Sequence, residues 1–392
     1  YTTENDPEWY DYDEKRWANA KSQDGSYWVW IPRYAYKIET CYHTSGEDCY
    51  NLTGKEAGDI DVKFLKSTTN ISEDNTTIET TGYEAHVKDT SMHHFLHPAF
   101  QFNGDEPGFW VAKFEPSVSD HTSECYINPS IVNCNNMNND VKIIPNATSW
   151  RFITLLNAFQ VTLNMKNNIS TYLWLESELN SHMMNNHEWG AVAYLSASEY
   201  GADGEVWNNS YIGYKTGCSG PSVNASSEST CVTYKTEDGQ KASTTHNIYG
   251  VYDMSGGSYE NVMAGYNNLI GDIQFPHIEN IASIENKYIT RYFTVEEKLF
   301  KGLGMDYDTS VYGDGIYETS FGAYRYGGGE STGNILGGWY TDRSYLPYIT
   351  APWFHRGGKE NNGPNAGVFH FYRNGGSGNV YRTFRPILTP LS

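Results

Sequence analysis

The chain has 392 residues, with 47 acidic side chains against 27 basic ones and a net charge of −20. That balance excludes a protein that tracks phosphates, which needs clustered Lys and Arg, and it leaves carboxylates available for calcium. Hydrophobic residues make up 39% and aromatic residues 15%, with 32 Tyr, enough for a core and better suited to strands and aromatic-lined surfaces than to helical bundles.

No run approaches the roughly 18–20 apolar residues of a membrane span. A start at Tyr1, without Met or signal peptide, is expected of an ectodomain trimmed of its targeting segment. Residues 1–40 hold two strand-like runs, Trp9–Trp17 and Tyr27–Ile38; Pro32 inside the second predicts an edge position or a bulge. Residues 41–95 turn polar and read as an insertion. A further strand is expected at Gly108–Glu115.

Two helices follow. Trp150, Ile153, Leu156, Asn157, Val161 and Met165 keep a mostly helical spacing after Thr148 and Ser149, either of which could cap it. Asn185 stands three residues before Glu188, a capping-box-like start, and Trp189, Val192, Ala193 and Leu195 form the buried stripe of a second helix. Residues 200–245 read as a long polar excursion. From residue 300 onward lie 18 of the 37 glycines, so the last third is expected to be short strands and tight turns. No fixed-period repeat and no linker divides the chain. The expectation is one elaborated α+β domain over 1–392: N-terminal strands (1–40), insertion (41–95), core with disulfide loops (96–299) and a Gly- and aromatic-rich lobe (300–392).

Six cysteines fall into close pairs: Cys41 with Cys49, Cys125 with Cys134, and Cys218 with Cys231. None has the CxxC spacing of a zinc site, so three local disulfides and an oxidising compartment are expected.

NIYGVYDMSGGSYEN (Asn247–Asn261) resembles the NxYGLYDMxGNVWEW signature of the formylglycine-generating-enzyme-like branch of the C-type lectin fold. NNHEWGAVAYL (Asn185–Leu195) and the closing WFHRGG and TFRP (Trp353–Gly358, Thr383–Pro386) are similar to that family's other landmarks. With WYDYDEKRWANA (Trp9–Ala20), WVWIPRYAYKI (Trp28–Ile38) and HPAF (His97–Phe100), the chain resembles surface proteins of gut Firmicutes that carry type IV pilin-like N-termini. The C-terminal frame also resembles the variable regions written by diversity-generating retroelements.

That resemblance implies a C-type lectin-like fold and a non-enzymatic adhesin or receptor at the bacterial surface, within a pilus-like assembly, binding a protein or glycan on another cell or host surface. Trp353, Gly357, Gly358, Gly367, Phe369, Phe371, Phe384 and Arg385 read as framework. His355, Lys359, Glu360, Asn361, His370, Tyr372, Arg373, Asn374, Asn379, Tyr381 and Arg382 read as ligand-contacting positions sharing one exposed patch, their Tyr, Asn and Arg content being that of antibody paratopes. If Phe369 and Phe371 face the core, His370 and Tyr372 face away.

No cofactor is required on this reading. Calcium is the one cation implied, with Glu260 as its ligand, although Gly257 stands where the family places an Asn. Asp306 and Asp308 form a weaker DxD. His93, His94 and His97 lack a recognised metal spacing and read as structural or solvated. Formylglycine synthesis needs a cysteine pair near the C-terminus, and none follows Cys231. The alternatives are a phage tail-tip receptor-binding protein of the same fold, or an enzyme acting on surface glycans or peptides, whose paired carboxylates leave no local signature.

Each short-range bridge should contribute about 2–3 kcal/mol. Peptide mapping without reduction should recover the three local pairs, and a Cys41–Cys231 peptide would overturn the assignment.

Overall fold

In YWVWI the side chains alternate between two sides of a strand, and both sides find a core. The computed structural model describes residues 9–42, 57–78, 93–102, 104–119, 132–172, 179–271, 280–293, 311–320, 337–347 and 349–391. Its first sheet has five antiparallel strands in the order Asn19–Lys21, Tyr27–Pro32, Gly108–Ala112, Pro386–Pro390 and Leu179–Met183. Val29, Ile31, Phe109, Val111 and Ile387 enter one hydrophobic cluster, while Trp28, Ala112, Met183 and Leu388 enter another. The sheet therefore divides two cores, and it joins strands from both ends of the chain.

The apolar run Tyr27–Ile38 is two strands rather than one. Pro32 ends the first, and Tyr34–Ile38 then lies between Ile60–Phe64 and Phe95–Leu96 in a three-stranded sheet. Arg33 at the crossing is buried, and its guanidinium donates to Thr69 O, Phe100 O, Asn70 Oδ1 and Asp105 Oδ1. Strand Ile60–Phe64 lies in the segment read as an insertion, and strand Phe95–Leu96 starts at its last residue. That segment is polar outside its strand positions, which hid them. The run Trp9–Trp17 is not a strand; it turns back on itself through an Asp11–Arg16 bridge.

The first helix spans Leu155–Met165 and is capped by Thr154, whose side chain accepts from Asn157 N, not by Thr148 or Ser149. Trp150 and Ile153, taken as helical, precede it in the chain and are buried beside it in the second cluster. The second helix, Asn186–Ala197, has the expected cap: Asn185 Oδ1 accepts from Glu188 N, and Glu188 Oε2 accepts from Asn185 N. It is buried on nearly every side rather than along one stripe. Fully buried Val192 and Leu195 each contribute about 1.5–3 kcal/mol, more than the cap, so packing holds this helix in place.

A second sheet runs Thr290–Tyr292, Tyr259–Tyr266, Trp353–Gly357, Gly367–Asn374, with Arg382–Phe384 pairing parallel to Tyr259–Asn261. The predicted framework residues Trp353, Phe369, Phe371, Phe384 and Arg385 are fully buried. Gly357 and Gly358 adopt φ of +82° and +81°, and a Cβ on Gly358 would lie 2.7 Å from Ala366, which only glycine tolerates.

Cys218–Cys231 is bridged across a two-stranded ribbon. Cys41 and Cys134 are also disulfide-bonded, while Cys49 and Cys125 lie outside the described residues, as do Asp306 and Asp308. Among the described residues no helix is long and apolar enough to cross a membrane.

Replacing Asn185 with Ala removes one half of the capping box and should cost about 1 kcal/mol, read as a lower denaturation midpoint at unchanged slope in urea.

Candidate binding face

The turn before strand Tyr259–Tyr266 is built on left-handed backbone, with φ of +65° at Asp253, +80° at Gly256 and +67° at Gly257. Asp253 is buried and accepts from Gly217 N, Glu115 N and Asn209 Nδ2. A Cβ at Gly257 would lie 2.5 Å from Glu115 Oε1. Glu115 occupies that space and accepts from Ser258 N at 2.7 Å.

Beyond the turn the strand alternates. Glu260 points inward to Arg385, whose Nε donates to Oε2 at 2.7 Å and whose Nη2 donates to Oε1. Arg385 also donates to Ala112 O and Tyr252 O. Both Glu260 oxygens are therefore held by a guanidinium. A calcium ion bound about 2.3–2.6 Å from either oxygen would sit against that cation, so the surroundings of Glu260 do not fit the calcium-ligand expectation. Glu115, Asp253 and Glu260 surround a single guanidinium. Burial, reinforced by the charges of Asp253 and Glu260, pushes the Glu115 carboxyl well above the usual carboxylate range.

On the opposite side of the same strand, Tyr259 opens an aromatic ladder. Its ring lies 4.1 Å from that of His355; His355 lies 5.4 Å from Tyr372, nearly parallel, and Tyr372 lies 4.5 Å from Tyr345. His370 flanks the ladder at 6.1 Å from His355. Phe369 and Phe371 enter the core, and His370 and Tyr372 face away, as the alternation required.

The expected patch is only partly exposed. Asn361 and Tyr381 are open to solvent, and Lys359, Tyr372, Arg373, Asn379 and Arg382 are half-buried. His355, Glu360, His370 and Asn374 are buried, which corrects the expectation for these four. The hairpin loop 358–366 folds back over the sheet: His370 Nδ1 meets Asn365 O at 2.7 Å, and Glu360 N donates to Gly257 O. Asn374 Oδ1 caps a turn by accepting from Gly376 N. Strand alternation says which side a residue takes but not whether a loop covers that side.

Lys359 Nζ lies 4.2 Å from the Tyr381 ring and 3.2 Å from Glu360 Oε1. Arg373 lies over Tyr345, and Arg382 donates to Ser377. Asn379 Oδ1 accepts from Tyr381 N, fixing the turn that presents this tyrosine. Sequence reasoning missed Tyr259 and Tyr345. The first follows from placing Glu260 inward. Tyr345 reaches the ladder from a distant loop and has no local signal.

Of the three sequence-clustered histidines, His97 is buried among Tyr34, Tyr36, Phe100 and Tyr194, His94 pairs with Asp61 at 2.9 Å and His93 is exposed. They do not converge. Among the described residues no group of three or more His, Cys, Asp or Glu side chains is placed to hold a metal ion.

Burial depresses His355 well below the ordinary histidine range, with Arg382 and His370 adding to it, and takes His370 to about 3. Both are neutral in the fold but protonate near 6.5 when unfolded. A lowered folded-state value gives stability that is complete above about pH 6.5 and is lost as pH falls, by up to about 1.4 kcal/mol per pH unit for each group. Replacing both with Phe should flatten the loss of stability between about pH 6.5 and 5, read by urea unfolding at stepped pH. An unchanged slope would mean that water reaches both rings. No family model matches the chain, and no curated protein is similar to it.

Proposed function

We propose that this is a non-enzymatic binding protein displayed at the bacterial surface, of C-type lectin-like fold, which contacts a protein or glycan on another cell or host surface through its C-terminal lobe. The observation that carries the reading is the half-open aromatic face where Tyr259, Tyr372, Tyr345 and Tyr381 adjoin Lys359, Arg373 and Arg382. Rigid rings offer contact area at low entropic cost, and the adjoining cations and amides supply adaptable hydrogen bonds. The disulfide Cys218–Cys231 is compatible with the extracellular setting this function needs.

Beneath the face, buried His355, His370 and Asn374 belong to its scaffold, and the contacts fall to the half-exposed positions around them. Calcium has no part in this proposal, because the Glu260 carboxylate is held by Arg385.

Wild-type protein and a Lys359→Ala/Tyr372→Ala/Tyr381→Ala variant are to be compared on an array of purified glycans and cell-surface proteins. The wild type should bind at least one target saturably. The variant should lose about 30-fold or more in affinity, the equivalent of roughly 2 kcal/mol, while its melting temperature stays within a few degrees. Equal affinity, or a loss that tracks unfolding, removes this face from the function.

A further inference from the structure

Far from the C-terminal lobe in sequence, the N-terminal turn closes a second aromatic surface. Trp30 and Trp110 face each other across neighbouring strands with ring centroids 5.1 Å apart, and Trp9 lies 6.2 Å from Trp110. From Trp9 the series continues through Tyr10, Tyr12, Phe64 and Tyr200, at successive separations of 5.7, 5.6, 4.9 and 4.7 Å. Each step in that part tilts by 52–73°, so the rings form a curved wall instead of a stack. Gly108 makes room for it: a Cβ there would lie 2.6 Å from Trp30 Cζ2.

The wall lines a half-open cleft of about 540 Å³, within the size range of small-molecule sites. Its rings are partly open: Tyr10 is 42% exposed, and Trp9 and Trp30 are half-buried. The charges at the cleft have one dominant sign. Asp11, Asp13 and Glu73 line it, against Lys66 alone, and Lys66 Nζ is held by Asn75 Oδ1 at 2.6 Å. Arg16 approaches Asp11 only to 3.9 Å. Among the described residues, neither the Asp13 nor the Glu73 carboxylate has a hydrogen-bond or ion-pair partner.

We infer that this cleft is a binding site for an organic cation, an alkylammonium group carried by a small molecule, received by the ring faces of Trp9, Tyr10 and Trp30 and balanced by Asp13 and Glu73. Ring faces carry negative potential and attract a cation placed within about 6 Å of their centroids. Carboxylates at the mouth add attraction that salt screens. A neutral apolar guest would use the same rings but would gain nothing from the carboxylates. The site shares no residue with the C-terminal face, so either assignment can fail without the other.

The test uses the full chain and choline as the probe, followed by calorimetry and tryptophan fluorescence, with the uncharged isostere 3,3-dimethylbutan-1-ol alongside. Choline should bind saturably and at least about tenfold more tightly than the isostere. An Asp13→Asn/Glu73→Gln variant, altered only at solvent-facing carboxylates, should lose about tenfold while keeping its melting temperature, and Trp30→Ala should lose binding altogether. Absence of saturable choline binding overturns the inference. So does equal binding of choline and the isostere, which would leave an apolar cleft with no preference for charge, or undiminished binding by the carboxylate variant.

Discussion

Arg385 sits where the chain passes from strand Arg382–Phe384 of the second sheet into strand Pro386–Pro390 of the first. Its guanidinium reaches Glu260 in the second sheet, Ala112 O in the first and Tyr252 O in the connecting turn. One buried cation thereby ties both sheets to the glycine turn that starts the central strand. A buried pair of this kind adds little net stability over a well-packed apolar substitute, yet losing one partner strands the other charge at a cost of about 3–5 kcal/mol. Its effect is to define geometry: Glu260 is drawn inward, so Tyr259 and Asn261 must face the other way.

The same constraint accounts for the local chemistry of the turn. With Arg385 committed to Glu260, the nearby carboxylates Asp253 and Glu115 are satisfied by backbone and amide donors. Gly257 suits this turn because its φ of +67° is left-handed, and the Glu115 carboxylate lies where a side chain would begin.

The aromatic face depends on that turn and on the hairpin 358–366 folding over the sheet. The hairpin splits the C-terminal polar residues into two groups. His355, His370, Glu360 and Asn374 are enclosed, whereas Lys359, Asn361, Tyr372 and Tyr381 remain within reach of solvent. Enclosed neutral imidazoles stacked against Tyr259 stiffen the platform from which the outer side chains project.

Patterns confined to a few neighbouring residues were legible in the sequence. The Asn185–Glu188 capping box, the Cys218–Cys231 bridge, the glycines at 357 and 358, the mixed helix and strand content, and the inward Phe369 and Phe371 all rest on interactions within a turn, a short loop or one strand period. Tertiary structure decided what depends on distant partners: the division of Tyr27–Ile38 between two sheets and the commitment of Glu260 to Arg385. It also decided the arrival of Tyr345 beside Tyr372, while the cover over His355 and His370 comes from the nearby hairpin 358–366. Local sequence sets backbone preference and the side a residue faces, but which element covers that side depends on how other segments, near and distant in the chain, pack against it.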